Sequence, residues 1–211
     1  MKKAVSALLW YFALFWVLVL SGGTFLQYYD FRTHSFFLDL KQAAIKTGWY
    51  LPAFYCHIIG SSIILVAGFF QFSKKVYSNK KLHRLLGKVY VSGVLFFGAP
   101  GAYVMTVFIN RGPWVATSFV LQNTLWVLST LSAWILIKNR DVDDHVKMMR
   151  RSYALAFGAV TLRFYVFLFK IAGIGAGFPN NYIIIAFASW IPNLLVAEWI
   201  NNRERNKPSF A

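Results

Sequence analysis

The sequence is poor in cysteine and in acidic residues, and both shortages limit what the protein can be. Its single cysteine, Cys56, excludes an internal disulfide and any iron–sulfur or other metal site built from several cysteines. Cys56 lies in an apolar stretch, where a free cysteine behaves as a small hydrophobic residue. Only 7 of the 211 residues are Asp or Glu, whereas 22 are Lys or Arg. The few charged residues are therefore overwhelmingly basic, and the net charge is +15.

Enzyme signatures are also missing from the chain. It contains no GxSxG, HExxH, phosphate-binding loop or dinucleotide-binding fingerprint. What it does contain is apolar residues: 58% of the chain is hydrophobic, 19% is aromatic, and the mean hydropathy is +0.51. A soluble domain is nearly half apolar on average. Because the basic residues punctuate long apolar runs, they indicate a lipid bilayer as the partner and exclude nucleic acid.

Six apolar runs are long enough to cross a membrane as helices, which need about 20 such residues. The first run is too long for the core of a signal peptide, so we expect it to be retained. The polar connection after it carries apolar residues at helical spacing between Phe36 and Ile45, which predicts a short amphipathic interfacial helix. The predicted fold is thus an all-α polytopic integral membrane bundle, a single transmembrane domain over residues 1–211. Its spans lie near residues 4–26, 51–72, 89–109, 114–137, 152–172 and 182–200.

Basic residues are distributed unequally between the two sides of this bundle. Apart from Arg163, which lies deep within a span, 16 of them fall on one side and 5 on the other. The richer side holds Lys2, Lys3, Lys74, Lys75, Lys80, Lys81, Arg84, Lys88, Lys138, Arg140, Lys147, Arg150, Arg151, Arg203, Arg205 and Lys207. The other side holds Arg32, Lys41, Lys46, Arg111 and Lys170. The positive-inside rule then predicts an inner-membrane protein with both termini in the cytoplasm.

Arg163 is the sharpest polar feature inside a predicted span. It lies about 18 Å beyond Arg151 at the helical rise, in the outer half of the fifth span. An arginine at this depth is costly unless it faces a partner or a wet cavity, and no span carries an acid there. His57, Gln122 and Asn123 share this outer layer and complete a predicted ligand or cofactor pocket. The alternative is an arginine that snorkels to the outer headgroups.

Two histidines form the second candidate site. His83 and His145 lie six or seven residues ahead of the third and fifth apolar runs, on spans that run in the same direction. Two histidines from facing helices are what a bis-imidazole haem b requires, so we expect them as candidate axial ligands. The haem propionates would pair with Arg84, Lys88, Arg150 and Arg151. The alternative is a solvated pair of histidines in the headgroup zone.

Two local patterns predict bends within spans. Pro192 in Trp190-Ile191-Pro192-Asn193-Leu194 predicts a kinked sixth span, in which Asn193 helps to satisfy the freed carbonyl. The stretch Gly98-Ala99-Pro100-Gly101 predicts a kink or close packing in the third span.

Several stretches together resemble a domain-of-unknown-function family of bacterial multi-pass inner-membrane proteins. They are the His57 span ending in Gln71-Phe72, His83-Arg84-x-x-Gly87-Lys88-x-Tyr90, His145 with Met149 and Arg151-Ser152-Tyr153, Thr161-Leu162-Arg163, and Trp190-Ile191-Pro192-Asn193-Leu194. The resemblance covers nearly the whole chain from Trp49 onward, and the family has no assigned activity. The layout is similar, more loosely, to transmembrane di-haem cytochromes b. The chain departs from their pattern because His57 has no histidine partner at its own depth, so one haem at most is expected.

Three functions follow as hypotheses. The first is a redox-linked membrane protein that binds haem b through His83 and His145, or a quinone or other anionic ligand through Arg163 and His57. The second is a non-catalytic accessory subunit of a larger membrane complex, with partner membrane subunits. The third is a small-molecule transporter, which is weakest because one mid-membrane charge does not make an ion relay.

The charge asymmetry makes a topology prediction. A reporter fused after Ala211, or inserted in the Lys74–Lys81 loop, should register as cytoplasmic, because these segments adjoin the basic side. The same reporter between Thr33 and Thr47 should register on the opposite side. Alkaline phosphatase and green fluorescent protein fusions measure this, and reversed signals would overturn the orientation or the span count.

Overall fold

The computed structural model of the protein describes residues 2–175 and 178–205, and every regular element within them is a helix. Lys207, one of the basic residues behind the orientation prediction, lies outside this range. The helices are α1 Lys2–Tyr28, α2 Phe36–Asp39, α3 Gln42–Ile45, α4 Tyr50–Gln71, α5 Lys74–Ser78, α6 Lys80–Gly93, a π-helical segment Val94–Gly98, α7 Ala99–Val107, α8 Pro113–Lys138, α9 Val142–Ile171, α10 Pro179–Ala188 and α11 Ile191–Arg205.

Within the described residues, six helical stretches are long and apolar enough to cross a membrane. They are Ala7–Tyr28, Tyr50–Gln71, Lys80–Val107, Pro113–Lys138, Val142–Ile171 and Asn180–Glu204. The third stretch combines α6, the π-helical segment and α7, and the sixth combines α10 and α11. The predicted all-α, six-span membrane architecture is confirmed.

The third and fifth spans begin earlier than their apolar runs. Asn79 caps α6 by accepting a hydrogen bond from the Leu82 amide at 3.1 Å, and Asp141 caps α9 through the Asp144 amide at 3.2 Å. A side-chain cap satisfies one of the amides that a helix start leaves without an intrahelical partner. The helices therefore begin at these caps, and the predicted starts near residues 89 and 152 marked only where the apolar sequence begins.

The chain folds into two compact units, Met1–Phe108 and Ile109–Ala211. In the first unit, α4 packs against α1, α6, the π-helical segment and α7, so it is the central helix. In the second unit, α8 and α9 form an extensive helical hairpin, and α10 and α11 pack against it.

The connection after the first span differs from its prediction. It holds two one-turn helices, α2 and α3, in place of one amphipathic helix. Leu38 and Ala44 are buried in a cluster with aromatic residues of α1 and α4, while Leu40 is exposed. Lys41 donates a 2.7 Å hydrogen bond from Nζ to the Phe108 carbonyl. The buried Leu38 and Ala44 and the Lys41 bond hold the segment on the first unit.

The third span is distorted where glycine and proline predicted it. Val94–Gly98 is π-helical and precedes Pro100, which has no amide proton to donate within α7. Gly101 lies against α4: a Cβ built there would be 2.5 Å from the Ala53 carbonyl oxygen and 2.8 Å from the His57 Cβ. The absence of a side chain at Gly101 therefore permits the close approach of the two spans.

The sixth span is broken between α10 and α11, as Pro192 predicted. Proline cannot donate to the carbonyl four residues earlier, and the helix stops at Ala188. The Asn193 Nδ2 donates at 3.0 Å to the Ser189 carbonyl, which also accepts a 2.6 Å hydrogen bond from Thr161 Oγ1. Asn193 thus stabilises the break, and the carbonyl it satisfies is that of Ser189.

The Gly101 contact predicts how two glycine-to-alanine substitutions change the free energy of unfolding. Gly101→Ala should lower the free energy of unfolding by about 1–3 kcal/mol, because its methyl group would meet backbone atoms of α4. The matched control is Gly22→Ala in α1, where nothing lies within 4 Å. This control should be neutral or slightly stabilising, since alanine favours a helix. Thermal unfolding in detergent measures both, and a Gly101→Ala protein as stable as the wild type would contradict the packing.

Candidate functional site

The residues predicted to carry function are divided between the two units. His57, His83, Arg84 and Lys88 belong to Met1–Phe108. The second unit, Ile109–Ala211, contains Gln122, Asn123, His145, Arg150, Arg151 and Arg163. The contacts of each residue given below lie inside its own unit.

His57 links α4 to the third span through a hydrogen bond. Its Nδ1 lies 2.7 Å from the Gly98 carbonyl oxygen, and Ser61 Oγ lies 3.5 Å from the same nitrogen. Because a carbonyl oxygen can only accept, Nδ1 carries a proton, and a neutral imidazole here has its lone pair on Nε2. Gly98 ends the π-helical segment, a distortion that frequently marks functional sites. The imidazole is half-buried and fixed in one tautomer.

His83 lies in the first turns of α6, where the end of the second span holds the backbone. The buried Gln71 donates from Nε2 to the His83 carbonyl at 2.7 Å. Gly87 makes room for this amide, since a Cβ there would be 3.0 Å from Gln71 Nε2. The Tyr77 ring meets the His83 ring edge-on, with centroids 5.6 Å apart. Gln71, Gly87 and Tyr77 therefore fix the position of a half-buried histidine.

His145 is oriented by the neighbouring helix of its own hairpin. Its Nδ1 lies 2.8 Å from the carbonyl oxygen of the buried residue Ala133 in α8. Nδ1 must be the donor in this bond, so a neutral imidazole here has its lone pair on Nε2. An Nδ1–H donated to a backbone carbonyl is the arrangement that orients histidine ligands of metals. The second unit thus presents one half-buried histidine in a ligating tautomer.

His83 and His145 occupy equivalent positions in their helices. Each is the fourth residue of a helix whose N-cap is Asn79 or Asp141. Seven residues after each histidine comes a fully buried side chain, Tyr90 in one unit and Ser152 in the other. The sequence showed the two histidines and the tyrosines near them, and the structure adds the caps and the shared register.

The four basic residues near these histidines have different surroundings. Arg84 and Lys88 are exposed. Arg150 forms a two-point ion pair with Glu204 in α11, with Nη2 and Oε1 2.9 Å apart. The Arg151 guanidinium pairs through two nitrogens with both oxygens of Glu198. The sequence prediction missed both carboxylate partners. Glu198 could have indicated one of them, because it was the only acid within a predicted span.

The predicted pocket residues of the second unit also have partners of their own. Gln122 donates from Nε2 to the Leu155 carbonyl at 3.0 Å and packs against Gly158, so it ties α8 to α9. Asn123 is buried. Arg163 is exposed, and its Nη1 donates at 3.1 Å to the carbonyl of Ala159 on its own helix. The guanidinium therefore folds back along α9 toward its N-terminus, away from the end that carries Lys170.

Small hydroxyl side chains extend the polar contacts inside the second unit. Thr130 and Ser152 share a buried hydrogen bond of 2.6 Å between their hydroxyl oxygens, and Trp190 Nε1 donates to Ser118 Oγ at 3.0 Å. Interhelical hydrogen bonds of this kind are typical of membrane bundles. Sequence reasoning missed them, because a serine or threonine in an apolar run gives no sign of the helix that it will face.

Comparison with known proteins gives one match. The family model described as "Predicted membrane protein (DUF2306)" matches residues 54–201, a range that includes His57, His83, His145 and Arg163. Neither the curated proteins nor the solved structures contain a match.

The two ion pairs of the second unit predict unequal effects of neutralising their acids. Glu198→Gln should lower the free energy of unfolding by on the order of 1 kcal/mol, because Glu198 is only 36% exposed and Arg151 loses its two-point ionic acceptor. The control Glu204→Gln should lower the free energy of unfolding by a smaller amount. Glu204 is 49% exposed, and Arg150 keeps a 3.2 Å hydrogen bond to Asn201. Thermal unfolding of both variants in detergent gives the order, and a larger loss for Glu204→Gln would contradict it.

Proposed function

We propose that this chain, which belongs to the DUF2306 family of membrane proteins, binds one haem b and takes part in electron transfer within the membrane. The observation that carries the proposal is the orientation of His145 by the Ala133 carbonyl. His83 is the second ligand on the sequence pattern, which places both histidines on spans of the same direction.

The chemistry of His145 fits an axial ligand. Haem iron is held by a neutral imidazole nitrogen with a lone pair, and the partner nitrogen of such a ligand usually donates to a carbonyl or carboxylate. The 2.8 Å bond from Nδ1 to Ala133 provides this, and it fixes the ring before any ligand arrives. Ala133 is fully buried, so water does not compete for its carbonyl. His145 is therefore preorganised to bind through Nε2.

The surroundings of His83 are compatible with the second ligand. Its backbone is fixed by Gln71, and it holds the same capped helix position as His145. Arg84 and Lys88 follow it on α6 and are exposed, so they are the residues assigned to the propionates. The remaining two propionate candidates are engaged with carboxylates of α11, as described above.

A bound haem b would supply one-electron transfer between its ferric and ferrous states. The protein's own part would then be to supply the imidazoles as ligands and to neutralise the carboxylates with basic residues. The proposed location is the cell inner membrane with both termini in the cytoplasm, on the basis of the charge asymmetry.

A quinone is the alternative redox ligand, held by Arg163 and His57 with Gln122 and Asn123. His57 supports it, because its fixed Nδ1–H places a lone pair on Nε2. Gln122 weakens it, since its Nε2 already donates one hydrogen bond to the Leu155 carbonyl and ties α8 to α9. The haem proposal is therefore preferred.

The second candidate function is a non-catalytic accessory subunit of a larger membrane complex. The first span favours it, because only 11% of its most apolar 18-residue stretch is buried within the protein. The corresponding share for the second span is 44%. The exposed aromatic side chains of the first span include Trp10, Phe12 and Phe15. A partner membrane subunit would cover such a face, although lipid alone also satisfies it. No described contact favours a transporter.

The haem proposal predicts a spectrum. Protein purified from cells supplied with haem precursors should be red and low-spin, with sharp reduced α and Soret bands. His145→Ala should lose these bands, because it removes one axial ligand, and His83→Ala should do the same. The matched control is His34→Ala: His34 is exposed and bonds to Asp39 Oδ1 at 3.0 Å, so its loss should leave the spectrum intact.

Absorption spectroscopy and a haem-to-protein ratio check this prediction. A colourless wild type would refute the haem proposal and leave the accessory function as the preferred one. A spectrum that survives in the double variant of His83 and His145 would also refute it.

A further inference from the structure

The first turns of α6 expose two stripes of different chemistry side by side. In a helix, residues three and four positions apart share a face, and each residue is rotated by about 100° from the one before it. Three sets with this spacing follow one another around α6, each one position later in the sequence. They are Lys81, Arg84 and Lys88, then Leu82, Leu85 and Val89, and then His83, Leu86 and Tyr90. The third set is half-buried or buried, whereas the first two, the cationic stripe and the apolar stripe, are exposed.

The cationic stripe forms no ion pair within the described part of the first unit. Met1–Phe108 contains two acids, Asp30 and Asp39, and the sequence has no further acid up to residue 140. Both lie in the connection after the first span, where Asp30 contacts Arg32 and Asp39 contacts His34. No ion pair between described residues includes a member of the stripe. The stripe is therefore open to an anion that the unit itself does not supply.

The start of α9 in the second unit provides an internal comparison. Its basic residues each pair with a carboxylate of that unit: Lys147 with Asp144, Arg150 with Glu204 and Arg151 with Glu198. Residues 144–151 are all half-buried or buried, so neighbouring side chains cover this helix start. A capped helix start with basic residues is thus not enough to produce an open cationic stripe, which is a particular property of α6.

The cationic stripe belongs to a larger basic cluster at the entry of the third span. From residue 74 to residue 88 the sequence has six basic residues and no acid, and all six are exposed. The apolar run of the span begins at Val89, directly after them. Four or more basic residues next to a span, or on an amphipathic helix, attract anionic lipid headgroups at the membrane surface. An exposed apolar stripe beside them adds contact with the acyl region of the same lipids.

We propose that the two stripes of α6 form a binding site for an anionic phospholipid of the bilayer. The lipid phosphate contacts the cationic stripe, where the Arg84 guanidinium offers paired N–H donors to phosphate oxygens. The acyl chains cover the apolar stripe, which a soluble anion would leave exposed. The position at the entry of a span favours a lipid over an acidic protein segment, because lipid headgroups surround the helix there.

The lipid site does not rest on haem binding. Arg84 and Lys88 are shared with the assignment of the haem propionates, whereas Lys81 and the apolar stripe belong to the lipid site alone. Lys81 and Leu85, which is 59% exposed, are therefore the residues to vary.

The experiment is a titration of the detergent-purified protein with short-chain phosphatidylglycerol, phosphatidylcholine or inorganic phosphate, measured as the shift of the unfolding midpoint. Phosphatidylglycerol should bind more tightly than phosphatidylcholine. Lys81→Gln should weaken the apparent affinity for phosphatidylglycerol by roughly fivefold, since one basic residue near an anionic surface contributes about that factor. Leu85→Asn should weaken the binding of both lipids severalfold, because it removes apolar contact and leaves every charge in place.

Lys46→Gln is the matched control, because it removes an exposed cation of the same unit outside the two stripes. It should change the affinity by less than about twofold. His83→Ala removes a proposed haem ligand and should bind phosphatidylglycerol like the wild type, so a failure of the haem proposal leaves the lipid site intact.

Three results would overturn the lipid site. Equal binding of phosphatidylglycerol and phosphatidylcholine would show that the cationic stripe does not select the lipid, and would leave an acidic protein segment as the occupant. Wild-type affinity in either Lys81→Gln or Leu85→Asn would remove the corresponding stripe from the site. A shift with inorganic phosphate as large as that with phosphatidylglycerol would show that the ligand is not a lipid.

Discussion

Within each unit, hydrogen bonds from polar side chains to backbone carbonyls of neighbouring helices hold the spans together. In an environment without water, a buried polar group must find its partner within the protein. His57 bonds to Gly98 and Gln71 to His83 in the first unit, while Gln122 bonds to Leu155 in the second. Each bond joins two spans at a defined height, so helix register depends on these polar contacts as much as on apolar packing. Glycines such as Gly101 permit the close approach that the bonds require.

The same bonds limit what the polar residues can do chemically. A histidine whose Nδ1 donates to a carbonyl is fixed as one tautomer, which makes His57 and His145 acceptors or ligands through Nε2. Gln122 donates one hydrogen bond from Nε2 to the backbone of α9, so it contributes to the helix packing. The distinction between a structural and a ligating polar residue therefore lies in which of its atoms the fold has already used.

Charge is separated along the second unit. Its five acids all lie near one end, where Glu198 and Glu204 pair with neighbouring arginines. At the other end the sequence provides cations without acids, and Arg111 stacks on Tyr182. The acids of the unit and the basic residues that pair with them thus share one end of it. This asymmetry is a property of a few positions, because the chain has so few acids to distribute.

The sequence by itself determined the membrane class, the six spans, the break at Pro192 and the distortion before Pro100, because apolar run length and the missing proline amide act locally. Only the tertiary structure decided where the third and fifth helices begin, which carboxylates Arg150 and Arg151 meet, and that Arg163 turns back along its own helix. It also divided the segment after the first span into two short helices. These outcomes depend on which side chain or carbonyl of another element lies within about 3 Å, and no local pattern specifies that neighbour.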